Sequence, residues 1–262
     1  MATKREISRR EQWVMERLLR NGSITVEEIS EETSVSLGTA RRLLRNLEKQ
    51  GQLQRSLGGA VSIEPLLYQH FRHASNYREQ IEKHAEEKRR IALAAASLIR
   101  NGDTVVLTPG TTTNHLARSL PVGLQVTIVT STVNVAMELC NRKGVTVFVT
   151  GGVLQGDWFS LIGPAAIQAL SNIFPDKAFI GANGVHPEHG VTAFDPDEAA
   201  LNKVMVSQAK EKIIVADHSK LGVVATHLIC PLKEIHMMIT DSGATDEDIT
   251  GFVQRGIDVR RV

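Results

Sequence analysis

A chain of 262 residues, 42% hydrophobic and 23% charged, carries enough apolar material for one large core or two smaller ones. Its net charge of +1 gives no whole-chain electrostatic argument for nucleic acid, so any such partner has to be met by a local patch. Cys140 and Cys230 have neither a C-x-x-C nor a metal-ligand spacing, the apolar run from Ile91 to Ile99 is far short of a membrane span, and Met1 to Arg5 lead into charge rather than a signal core, so a reducing, cytoplasmic setting without membrane association is expected.

From Ser8 the residues read as a helix with Val14, Leu18 and Leu19 on its apolar stripe, ended by Asn21-Gly22. Ser23-Ile24-Thr25 reads as a connector. Thr25 with Glu28 is a capping-box pattern that opens a second helix through Ile29. Thr33 to Ser36 is a turn, and Ser36 is a plausible N-cap for a third helix, with Leu37, Ala40, Leu44 and Leu47 on one face and Arg41, Arg42, Arg45 and Lys49 largely off it. Two short helices, a turn and a basic third helix make a helix-turn-helix, whose last helix enters the major groove with its first residues foremost. Thr39 and Arg42 are placed for base edges and Arg41 and Arg45 for phosphates. Leu53 to Arg55 and Ala60 to Ile63 around Gly58-Gly59 read as a hairpin wing. The competing interpretation is a packing module with solvated arginines: residues 1–60 hold 11 Lys and Arg against 8 Asp and Glu, only a mild excess.

The segment Arg10 to Ala60 resembles the winged helix-turn-helix of the DeoR family of bacterial transcriptional regulators. Val35-Ser36-Leu37-Gly38-Thr39-Ala40-Arg41-Arg42-Leu43-Leu44, Gly51-Gln52-Leu53-Gln54-Arg55 and Leu57-Gly58-Gly59-Ala60 carry the likeness, with Ala40, Leu43 and Leu57 standing where the family usually has Ile, Asp and His. The resemblance implies operator contacts from Ser36, Gly38, Thr39, Arg41, Arg42, Arg45, Arg55, Gly58 and Gly59.

Residues 64–79, with Pro65, Tyr68, Phe71 and Tyr77, lack a clean period and read as a linker between a winged helix-turn-helix over 1–63 and an α/β domain over 80–262. From Gln80 a charged stretch runs into Ile91, Ala94, Ala95 and Leu98, an amphipathic helix that stops at Asn101-Gly102. Short apolar strands and helices then alternate. The strands are Val105 to Leu107, Val126 to Thr130, Val145 to Thr150, Lys177 to Gly181, Lys212 to Ala216, His236 to Thr240 and Ile257 to Arg260. The helices are a short one starting near Leu116, then Val133 to Leu139, Pro164 to Leu170, Pro196 to Ala209 and Asp246 to Gln254. The stretch before Asp195 reads as a loop. Such alternation predicts an α/β layered fold with a mostly parallel sheet, which binds ligands outside the carboxyl ends of its strands.

Those ends are small or polar: Thr108 to Thr112, Thr130-Ser131, Gly151-Gly152, Gly181 to Gly184, and Asp217 to Lys220. Thr108-Pro109-Gly110-Thr111-Thr112 combines a strand end, a tight turn and a helix N-terminus, a natural anion site, although a threonine there can simply cap the helix. The G-x-x-x-x-G-K-[ST] pattern is absent, the histidines show no metal spacing, and no cofactor is expected. Asp195-Pro196-Asp197-Glu198 is also a strong helix start.

The whole of this second part resembles the DeoR effector domain, similar in fold to ribose-5-phosphate isomerase. Gly110-Thr111-Thr112, Gly190 to Thr192 through Asp195, Glu198-Ala199, Lys203, and Asp217-x-Ser219-Lys220-x-Gly222 carry the likeness. It implies a phosphorylated-sugar effector met by Thr108, Gly110, Thr111, Thr112, Thr130, Ser131, Gly151, Gly152, Asp195, Glu198, Lys203, Asp217 and Lys220, and a homo-oligomer, dimer or tetramer, on double-stranded operator DNA. The family usually has Asp where Thr108 stands. Two other readings are open: a sugar-phosphate isomerase-like enzyme using Asp195 or Glu198 as base, and a regulator whose second domain only oligomerises.

Overall fold

The structure is a computed structural model that describes residues 10–11, 13–15, 17–18, 23–49, 53–62, 80–156 and 158–262. The chain divides into two units, Met1–Ala74 and Ser75–Val262. The expected linker at 64–79, Leu19, Asn21-Gly22, Gly51-Gln52 and Ile63 lie outside the described residues.

In the first unit the described residues of 10–18 are helical, and Val14 and Leu18 are fully buried. Ser23–Thr25 is a strand, β1, where a connector was expected. It is the edge of a three-stranded sheet in the order β1-β3-β2, with β2 (Leu53–Ser56) and β3 (Gly59–Ser62) forming the wing hairpin. The two chains can approach because Gly59 has no side chain: a Cβ there would lie 2.1 Å from the carbonyl oxygen of Ile24. Helix α1 (Val26–Glu32) starts with the expected reciprocal cap, the Glu28 amide donating to the Thr25 hydroxyl at 3.1 Å and the Thr25 amide to the Glu28 carboxylate at 2.8 Å. Helix α2 (Leu37–Lys49) starts at Ser36, whose Oγ accepts from the Thr39 amide. Its buried stripe is Ala40, Leu43, Leu44 and Leu47, an i, i+3, i+4, i+7 set. Leu43 thus packs inward, and Leu37, expected on that stripe, is 43% exposed on the first turn.

The second unit is built on a seven-stranded, all-parallel sheet in the order β15-β14-β12-β9-β4-β5-β6. These strands are β4 (Thr104–Leu107), β5 (Val126–Thr130), β6 (Val145–Val149), β9 (Lys177–Ile180), β12 (Glu211–Val215), β14 (Met237–Thr240) and β15 (Asp258–Arg261). Successive side chains serve opposite faces. Val105, Leu107, Phe179, Ile213, Val215 and Ile239 enter one core. It is closed by α3 (Ala85–Ala96), α4 (Thr111–Ser119) and α5 (Val133–Leu139). Val106, Ala178, Ile180, Ile214 and Met238 enter the other, under α6 (Pro164–Leu170), α7 (Pro196–Ser207) and α8 (Asp246–Val253). Burial on both faces is why these strands are near-continuous apolar runs.

Three expectations change. The helix foreseen from Gln80 breaks at His84, whose φ is +54°, and α3 begins after it. The supposed loop before Asp195 holds two strands, β10 (Gly184–His186) and β11 (Gly190–Ala193), which with β13 (His227–Cys230) make a second, antiparallel sheet. The residues after Gly152 form a hairpin, β7 (Val153–Gln155) and β8 (Ser160–Ile162).

Candidate functional site

The outer face of α2 and the wing present the residues expected on DNA. Ser36, Gly38, Arg41, Arg42, Arg45, Arg55 and Gly58 are exposed and Thr39 is half-buried. The Thr39 hydroxyl lies 3.0 Å from that of Ser36, so the two share a hydrogen bond at the helix start. Gly58, at φ +85°, makes the wing turn that an L side chain would strain. Gly59 is the exception: it is buried against β1 and serves the sheet rather than the surface.

The second unit carries a cavity of about 260 Å³ at the carboxyl ends of β4, β9 and β12. Its floor is the turn that joins β4 to α4. Thr113 Oγ1 donates to the carbonyls of Thr108 at 2.7 Å and Gly110 at 2.9 Å. The first bond of α4 runs from the Asn114 amide to Gly110 O, which leaves the amides of Thr111 and Thr112 without intrahelical partners at the positive end of the helix. Gly110, at φ +154°, and Gly181 lie back to back: a Cβ on either would come within 3.8 Å of the other's Cα.

Two lysines line the cavity. Lys220 is half-buried and makes no ion pair among the described residues. Lys88 is 2% exposed. Burial lowers the Lys88 pKa, Asp217 counteracts that, and Lys220 adds to it. Nothing in the charged stretch before Ile91 marks Lys88 as an inward residue; only its place in the α3 stripe, three residues before Ile91, hints at it. Facing the lysines are two carboxyl groups. Asp217, 1% exposed, accepts from the amide and hydroxyl of Ser219. Glu198, 9% exposed, is pushed up to about 7 by burial and then by Asp195, with the Asn202 side chain opposing. Trp158, Asn183 and Phe194 complete the wall.

Of the residues foreseen for an effector, Gly110, Thr111, Thr112, Glu198, Asp217 and Lys220 therefore meet at one cavity, and the others are placed elsewhere. Thr108 is fully buried, and its hydroxyl accepts from the Gly181 amide at 3.0 Å, so it braces two strand ends instead of facing the cavity. The end of β5 is covered by the β7–β8 hairpin: the Leu161 amide donates to Ser131 O at 2.7 Å, Thr130 Oγ1 bonds Leu107 O, and both residues are fully buried. Gly151 and Gly152 form the base of that hairpin, where a Cβ on Gly152 would stand 2.5 Å from Ile162 O. Asp195 caps α7, taking the Glu198 amide at 2.8 Å and Gln155 Nε2 at 2.9 Å, which ties the hairpin to the helix start. Lys203 is exposed and does not line the cavity. Among the described residues no group of three His, Cys, Asp or Glu side chains is arranged to hold a metal, and no helix is long and apolar enough to cross a membrane.

A winged helix-turn-helix followed by an α/β domain with a polar cavity at its strand ends defines a two-domain transcriptional regulator. The DeoR-like helix-turn-helix domain description matches residues 10–65, and that of the DeoR C terminal sensor domain matches residues 83–242. The chain is 36% identical over 228 residues to the HTH-type transcriptional repressor GlcR of Bacillus subtilis (strain 168), covering 87% of this chain and 86% of that protein. It is 34% identical over 259 residues to the putative aga operon transcriptional repressor of Escherichia coli O157:H7, covering 96% and 93%. It is 32% identical over 239 residues to the lactose phosphotransferase system repressor of Staphylococcus epidermidis, covering 90% and 93%. The likeness to ribose 5-phosphate isomerase A of Methanocaldococcus jannaschii is partial, at 18% identity and a TM-score of 0.40 over 52% of this chain and 54% of that one. The chain belongs to the DeoR family: it is a DNA-binding transcriptional regulator.

Proposed function

We propose that this regulator is a repressor of a sugar-catabolism operon whose hold on its operator is set by a phosphorylated sugar in the second unit. One observation carries the reading: the open amides at the start of α4, the Lys220 ammonium and the Lys88 ammonium line one cavity with Asp217 and Glu198. Amides and ammonium groups suit a phosphate, and carboxyl groups suit sugar hydroxyls. A cavity of about 260 Å³ suits a single monosaccharide phosphate. The names of the B. subtilis, E. coli and S. epidermidis relatives, all repressors and one of them of a lactose phosphotransferase system, point the same way.

The head spans 1–63, the linker 64–79 and the sensor 80–262. Thr39 and Arg42 read base edges, Arg41, Arg45 and Arg55 hold phosphates, and paired heads of a dimer or tetramer meet two half-sites, because one small head contacts too few bases for tight binding. The protein works in the cytoplasm, where sugar phosphates are made. The effector acts by binding the weak-DNA conformation better than the tight one.

A thermal-shift screen with ribose 5-phosphate, fructose 1-phosphate, fructose 6-phosphate, glucose 6-phosphate and galactosamine 6-phosphate tests this. A true effector at 100 times its Kd adds about 2.7 kcal/mol of stability. Thr111→Val with Thr112→Val reduces the shift. A full panel without any shift, or a shift given equally by the unphosphorylated sugars, overturns the reading.

A further inference from the structure

Lys88 is among the largest described side chains to be almost wholly enclosed, and it carries a charge. An ammonium has three N–H donors. Two of them go to main-chain carbonyls, those of Gln80 and of Lys83, the latter at 2.6 Å. No further hydrogen bond or ion pair to a described residue engages the third. A buried cation with an unfilled donor is costly until an acceptor arrives. The cavity, which Lys88 lines beside Asp217 and Lys220, is where such an acceptor can enter.

The two carbonyls that Lys88 holds belong to residues 80–84, of which 80–82 are helical, followed by a reversal at His84. The far end of that segment is fixed to the cavity as well. The His84 ring packs edge-on against the His218 ring, with centroids 4.7 Å apart. His218 is itself fixed by Asp241, which accepts from its amide at 2.7 Å and meets its Nδ1 at 2.8 Å. His218 lies between Asp217 and Lys220 in the cavity loop. Gln80 therefore lines the cavity while His84 packs on His218, the neighbour of the lining residue Asp217, and in sequence residues 80–84 are the first described residues after the stretch that leads from the DNA-binding unit.

We propose that Lys88 couples the cavity to the DNA-binding unit: an anion in the cavity takes the third N–H of Lys88, and the ammonium so fixed clamps the carbonyls of Gln80 and Lys83 and stiffens residues 80–84. This rests on the anion site proposed above. Lys88 is a positioning residue here. Without its ammonium, the α4 amides and Lys220 still take an anion, but occupancy no longer reaches the segment leading to the head.

Amide hydrogen exchange of the full-length chain, with and without inorganic phosphate as the probe, decides the matter. In the unmodified protein, phosphate slows exchange over residues 111–114 and over residues 80–87, each by about fivefold or more. In Lys88→Met, which keeps the aliphatic stem but removes one donor to the anion, a higher phosphate concentration is needed to protect residues 111–114, whereas residues 80–87 exchange at least as fast as in the phosphate-free native chain and do not respond even at that concentration. The native comparison needs no variant, so misfolding of Lys88→Met cannot hide the answer. Protection of 111–114 without 80–87 in the native chain overturns the coupling and leaves the anion site standing. A response of 80–87 that survives in Lys88→Met overturns the role of Lys88. Protection of neither segment overturns the anion site and the coupling together.

Discussion

The hydroxyl oxygen of Thr108 accepts the Gly181 amide proton at 3.0 Å, across the carboxyl ends of two neighbouring parallel strands. Both residues are buried, and the same turn is pinned from its other side by Thr113 Oγ1 on the Thr108 carbonyl. Thr108 thus holds the floor of the cavity at the height where Gly110 and Gly181 meet. Thr108→Val keeps the shape and removes the acceptor, leaving the Gly181 amide unpaired in a dry site. Urea unfolding should show a loss of about 1–3 kcal/mol. A value within a few tenths of the native one would mean that the bond contributes nothing and that Thr108 is free for another use.

Lys220 has no ion-pair partner among the described residues and stands by the start of α4. A lysine so placed serves an incoming anion without first having to leave a carboxylate. Lys220→Met should weaken a phosphorylated effector by about tenfold to a hundredfold, the equivalent of roughly 1.4–2.8 kcal/mol. It should leave the unliganded melting temperature nearly unchanged, since its ammonium makes no hydrogen bond or ion pair among the described residues. Isothermal titration of both proteins with the panel compound that gives the largest shift measures this. Equal affinities would remove Lys220 from the site.

Glu198 is raised from an ordinary 4.5 to about 7, first by burial and then by Asp195. A folded value above the unfolded one means that the neutral carboxyl is the favoured native form. Its contribution is fully present below about pH 4.5 and is lost as pH rises through about 7. Glu198→Gln mimics the neutral form at every pH. The variant should match the native protein near pH 4.5 and exceed it at pH 8, by up to about 3 kcal/mol at 1.36 kcal/mol per unit. Denaturant melts at the two pH values give both differences. Parallel stability curves would show that Glu198 ionises as an exposed carboxylate does.

The central sheet was legible because burial on both faces forces apolar, β-branched runs such as Val105 to Leu107 and Ile213 to Val215. The caps at Thr25 and Asp195 were legible because each depends on residues three apart. The second sheet was not: β10, β11 and β13 have three or four residues each. β11 and β13 pair where Gly190 lets the backbone of Cys230 approach, and glycine reads as loop. The cavity was half legible. A strand end can be located from its sequence, but what covers it cannot, and the hairpin that seals Thr130 and Ser131 comes from residues 153–162. Lys88 was hidden for a related reason. A lysine in a charged run reads as solvated, and the carbonyls of Gln80 and Lys83, with Asp217 nearby, make its burial tolerable.

Arg42 and Arg45 are both exposed on α2, three residues apart, but at different distances from the helix start. A recognition helix enters the groove with its N-terminal residues foremost, so Arg42 is assigned to base edges and Arg45 to phosphate. The two roles leave different signatures in salt. A phosphate contact releases a condensed counterion and a base contact does not. Arg45→Ala should weaken operator and unrelated DNA alike and reduce the slope of log Kd against log salt by about one. Arg42→Ala should cost about 1–3 kcal/mol on the operator, with a smaller loss on unrelated DNA and a slope closer to native. Fluorescence anisotropy at several salt concentrations separates them. Interchanged signatures would mean that α2 lies in the groove with its C-terminal half foremost, and Thr39 and Ser36 would then face away from the bases.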